Sequence, residues 1–117
     1  VTSKPAVKPP KHLRAATRRW WANVVEGWDL DEHHVRLLTA AGEAWDRAQQ
    51  AREALAEHGV VFVDRFGQPH ARPEVAMERD SRIAFARLLR ELALDVEEPG
   101  DGRPPTIQGQ ASRRGGR

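Results

Sequence analysis

Residues 31–59, DEHHVRLLTAAGEAWDRAQQAREALAEHG, read as one long helix punctuated at both ends, and the rest of the chain is arranged around it. Asp31 is a good N-cap, because its carboxylate accepts a bond from an otherwise unpaired amide of the first turn, and Leu30 and Val35 flank it at the spacing of a hydrophobic staple. Gly59 takes the left-handed backbone that closes a helix, with Arg52 and His58 where the negative end of the dipole favours positive charge. No proline interrupts the stretch. At 1.5 Å per residue it spans roughly 40 Å, long for a small domain on its own.

Two apolar edges run along this helix. Leu37, Ala41, Ala44, Ala48, Ala51 and Leu55 alternate at spacings of four and three, a heptad-like stripe whose small side chains allow close approach of another helix. Val35, Leu38, Gly42 and Trp45 form the second edge beside it. One reading buries one edge within the chain and gives the alanine stripe to a neighbouring subunit. The other places both edges in one intrachain core. Periodicity leaves the two open.

Upstream, residues 13–26 repeat apolar side chains at helical spacing, with Leu13, Thr17, Trp20 and Val24 on one face and Gly27 as a stop. Trp20 and Trp21 are adjacent and cannot both face one core, so one belongs to a core and the other to a rim or groove. A helix, a short connection and a second helix invite comparison with helix-turn-helix DNA readers. The second helix there opens on polar residues that suit a groove, whereas Asp29, Asp31 and Glu32 would repel phosphate here.

Downstream, VVFVDRFGQPHAR over residues 60–72 changes to β-branched and aromatic residues broken by a turn signal, which predicts a short hairpin. Asp64 to Gly67 suit a type I turn whose glycine adopts positive φ, and Pro69 requires an unpaired edge position. Pro73 then opens a third helix, where its missing amide costs nothing and Glu74 meets the positive end of the dipole. Phe85, Leu88, Leu89, Leu92 and Val96 supply its expected buried stripe, fading near Leu94. The predicted fold is therefore mainly α: a three-helix domain with a long central helix, a short β-hairpin between helices 2 and 3, and disordered basic tails. The expected boundaries are a flexible basic arm over 1–11, the helical domain over 12–96 and a disordered tail over 97–117.

A chain of 117 residues holds one modest core, and its lack of cysteine excludes disulfides and thiolate chemistry. With no apolar run near 18 residues and no signal-peptide pattern, a soluble cytosolic protein is expected. The net charge of +2 conceals segregation. Residues 1–19 carry Lys4, Lys8, Lys11, Arg14, Arg18 and Arg19 without an acid, and residues 103–117 carry four arginines without one. The middle holds nine basic against 17 acidic residues, a net of −8. Basic arms on an acidic body are suited to a polyanion, because each cation that neutralises a phosphate releases condensed counterions. Lys4, Lys8, Lys11, Arg14, Arg18 and Arg19, with Arg65 at the hairpin tip, are the candidate DNA contacts.

Bond-making chemistry has little to stand on in this sequence. His12, His33, His34, His58 and His70 do not fall at metal-ligand spacing, so no metal or cofactor is expected. No glycine-rich phosphate loop follows a strand, and the serines and threonines lack a neighbouring base. Glu78 and Asp80 diverge on a helix and make no acid/base pair. No enzyme is expected.

The order of these features resembles the P27 family of phage terminase small subunits. The shared elements are the proline-led entry at Pro9 and Pro10, Leu13 followed by an aromatic at Trp20 or Trp21, and the alanine-rich long helix. After them come the D-R-F-G-Q-P turn from Asp64 to Pro69, the helix started by Pro73, and R-x-L-L-R-E-L-x-L from Arg87 to Leu94. The likeness covers about residues 9–96. It implies a non-catalytic adaptor of genome packaging that binds concatemeric double-stranded viral DNA, assembles as a ring-like homo-oligomer and delivers DNA to the large terminase subunit, which holds the ATPase and nuclease activities. The implied location is the cytoplasm of the infected bacterial host, away from any membrane. The residues themselves leave two alternatives: a small dimeric DNA-binding regulator, and a protein-only interaction scaffold.

Overall fold

In a computed structural model of the protein, residues 7–92 and the backbone of residues 112–113 are described. The chain is a mainly α three-helix domain. Helix α1 spans Ala15–Gly27 and leads into the two-residue strand β1, Trp28–Asp29; α2 follows over Glu32–His58, the hairpin strands β2 and β3 over Val61–Val63 and Pro69–Ala71, α3 over Pro73–Leu92, and β4 over Ser112–Arg113.

The ends of α2 are where local chemistry puts them. Asp31 is the N-cap of a capping box in which His34 takes the place more often filled by glutamate, its Nδ1 accepting the Asp31 amide at 3.1 Å. His34 Nδ1 also lies 4.0 Å from Asp31 Oδ2, but a nitrogen that accepts an amide proton carries none itself, so this is a neutral cap and not an ion pair. Leu30 is buried and Val35 packs on the same core, completing the staple. Gly59 closes the helix at φ 83°, its amide donating to Leu55 O at 2.8 Å.

Both α1 and α3 run antiparallel to α2. Trp21 Nε1, midway along α1, donates to Thr39 Oγ1 at 3.1 Å, and Arg14 at the start of α1 meets Asp46 and Glu53 farther along α2. The start of α1 has no cap from its own side chains; instead the Arg14 amide donates to Asp46 Oδ2 at 2.8 Å, a cap supplied by α2. On the other flank Trp45 and Phe85 pack at 5.0 Å between ring centroids, while Leu38 and Leu92 are both fully buried. The core gathers Leu13, Trp21, Val24, Leu30, Leu38 and Leu92. Gly42 lets α1 come close: a Cβ there would stand 3.1 Å from Thr17 Cγ2 and 3.3 Å from Leu13 Cδ1.

Several expectations need correction. Helix α1 begins at Ala15, two residues later than expected, because Leu13 sits in a turn whose amide reaches Pro10 O at 3.4 Å. Its buried face centres on Thr17, Trp21 and Val24, leaving Trp20 half-buried. Pro9 and Pro10, expected in a free arm, are half-buried. Phe85, Leu88 and Leu89 are only half-buried, since α3 is covered chiefly on the side that meets α2, with Ser81 and Leu92 as its buried residues. Val96 and residues 1–6 lie outside the described residues. The tail was expected to have no structure, yet Ser112 and Arg113 pair antiparallel with Asp29 and Trp28.

Candidate functional site

The sequence-predicted cations divide into two groups. Arg14 grips Glu53 with both ends of its guanidinium, Nη1 to Oε2 at 2.8 Å and Nη2 to Oε1 at 3.0 Å. That paired hydrogen bond holds the Glu53 carboxyl below its ordinary range and raises Arg14 above its own. Arg18 donates to the carbonyls of Lys11 and Leu13, at 3.2 and 2.9 Å. Both arginines therefore fasten the N-terminal segment to itself and to α2, so their donors are already engaged within the chain. Lys8, Lys11 and Arg19 are exposed and make no ion pair among the described residues. Lys4 lies outside the described residues.

Arg65 sits at the hairpin tip, its guanidinium carbon 4.9 Å from the centroid of Phe66. One carboxylate organises the turn. Asp64 Oδ1 accepts the amides of Phe66 and Gln68 at 2.8 and 2.9 Å, and Oδ2 accepts from His70 Nε2 at 2.7 Å. The Gln68 amide, then the His70 and Phe66 bonds, hold Asp64 below its usual pKa. Gly67 takes φ 81°, and Val61, Phe62 and Val63 pair with Ala71, His70 and Pro69. The ribbon is poorly covered: Val61, Phe62 and Val63 are 49, 38 and 64% exposed, and Phe66 is 74% exposed.

The alanine stripe has a different fate from the one offered to a neighbour. Ala41, Ala44, Ala48 and Ala51 are buried within the single chain, as are Leu38 and Gly42 of the second edge. Leu37 packs partly on the core and Leu55 is half-buried. The chain's own helices cover these four alanines. The four alanines thus spend their small side chains on close packing inside the chain, and Leu37 and Leu55 are the members of the stripe that keep some exposure.

What remains open on α2 is the outer end of its second edge. Trp45, 40% exposed, joins Ala16, Thr17, Trp20 and Phe85 around an apolar groove of about 350 Å³. Trp20 and Phe85 lie 6.0 Å apart between ring centroids. The Thr17 hydroxyl in its lining donates to Asp46. The sequence signalled this groove only through the surplus tryptophan of the Trp20–Trp21 pair.

Asp31, His33 and His34 each bring a possible ligand atom within 4.8 Å of the others, a grouping that spacing did not reveal. Nδ1 of His34 is engaged in the helix cap, and the positive end of the α2 dipole opposes a cation there. Among the described residues, no helix is long and apolar enough to cross a membrane. No protein family, curated protein or solved structure matches the chain.

Proposed function

We propose that this chain is a non-catalytic, self-associating DNA-binding adaptor of the phage terminase small-subunit type. In this reading it engages concatemeric double-stranded viral DNA in the cytoplasm of the infected bacterium and hands it to the large subunit. The observation that carries it is the set of exposed cations Lys8, Lys11 and Arg19, in and just before α1, which form no ion pair among the described residues. The Arg14–Glu53 contact holds that segment against the C-terminal half of α2. The acids Asp46 and Glu53 are hydrogen-bonded to Arg14 of the N-terminal segment, which lessens their repulsion of a phosphate backbone. The succession of long helix, hairpin and proline-led helix is the order of features on which the resemblance rests.

The test is duplex binding across a salt series for the intact chain and for Lys8→Ala/Lys11→Ala/Arg19→Ala. Three lost phosphate contacts lower the log–log salt slope by about 2.7. An unchanged slope removes these residues from the interface. Absence of salt-sensitive binding in the intact chain instead supports a protein-only scaffold, a second reading favoured by the engagement of Arg14 and Arg18 and by the exposed apolar hairpin.

A further inference from the structure

We propose that the β2–β3 hairpin of one copy seats its Arg65–Phe66 tip in the Trp20, Trp45 and Phe85 groove of a second copy, so that the chain self-associates head to tail. The inference rests on the self-assembling half of the adaptor reading and is independent of its DNA half.

Among the described residues, two apolar surfaces lack a partner, one a groove and the other a projecting tip. The groove is concave and aromatic; the hairpin tip is convex, with Phe66 74% exposed and Val63 64% exposed. Among the described residues none fills the groove. The hairpin leaves α2 at Val60, about 22 Å of helix beyond Trp45, and in the folded chain Phe66 remains exposed.

Charge selects the occupant. No lysine or arginine lines the groove, and Asp46, bonded to Thr17 in its wall, places a carboxylate beside it. Phosphate is repelled there, so a nucleic acid is a poor occupant. An arginine is attracted by both the carboxylate and the tryptophan faces, and Arg65 already stacks on Phe66 in the form in which it would enter. The Asp64 bonds hold the turn before binding, which reduces the ordering cost of association. This assigns Arg65 to a subunit contact in place of phosphate. Because tip and groove are different surfaces, each copy offers one of each, and the contact propagates until it closes in a ring or runs open.

Two variants test this without disturbing the core, since Phe66 and Ala16 are both exposed: Phe66→Glu spoils the tip and Ala16→Glu spoils the groove. Sedimentation of the intact chain over a concentration series is expected to show assemblies beyond the dimer. Each variant, with an unchanged circular dichroism spectrum, is expected to associate about 30-fold more weakly or worse. An equimolar mixture retains one intact tip and one intact groove, so it forms a pair of chains and stops there. A monomeric intact chain, a variant that assembles like the intact chain, or a mixture that stays monomeric would each overturn the proposal. Salt-dependent DNA binding by a monomeric intact chain would sink the assembly while leaving the DNA half standing. Assembly without DNA binding would do the reverse.

Discussion

Arg14 and Glu53, 39 residues apart, are joined by two parallel hydrogen bonds of 2.8 and 3.0 Å, and this clasp fixes where the basic N-terminal segment lies on the long helix. The pair is solvent-exposed, so its contribution is positional more than energetic. Glu53→Gln is expected to change thermal stability little while raising the amide exchange of residues 10–14. Hydrogen-exchange mass spectrometry on both proteins checks this, and unchanged exchange in that segment would show that the clasp does not hold it.

Trp21 and Trp20 are adjacent but carry unequal weight. Trp21 is 1% exposed with its indole N–H bonded to Thr39, whereas Trp20 lines an open groove. Trp21→Ala is expected to cost about 3–5 kcal/mol, enough to threaten the fold, and Trp20→Ala markedly less. Urea unfolding of the two variants gives the order directly.

Gly42 is a close-approach position with ordinary helical backbone. Alanine there gains about 1 kcal/mol of helix propensity but meets Thr17 and Leu13 at 3.1 and 3.3 Å. Both neighbours are buried, and Thr17 is pinned to Asp46. Overpacking of about 1–3 kcal/mol therefore outweighs the gain, and Gly42→Ala is expected to be destabilising by about 1 kcal/mol in the same unfolding assay.

Asp64 controls the hairpin through its charge. Its pKa is lowered in the folded chain, so its stabilising effect is present above the unfolded carboxyl's ordinary value and is lost as pH falls through the lower folded one. In acid titrations followed by NMR, the amide resonances of Phe66 and Gln68 are expected to move together below the usual aspartate range. Asp64→Asn should abolish that transition; its persistence would assign it to another group.

Much of the element order was legible because its signals are local. Asp31 and Gly59 bound α2 through bonds to residues three or four positions away, the Asp64–Gly67 turn closes on itself, and Pro73 starts α3 by ring geometry alone. Such features depend on a few neighbouring residues, so the sequence by itself determined the three helices and the hairpin between them. Only the tertiary structure decided which faces meet. It placed Trp21 inside and Trp20 at a groove, closed the alanine stripe within the chain, engaged Arg14 and Arg18, and paired Ser112–Arg113 with β1. Helical periodicity states that a face is apolar but not what covers it, and a charge pattern does not reveal which cations find a carboxylate or carbonyl across the fold. Those outcomes depend on contacts between residues distant in sequence, set when α1 and α3 dock on α2.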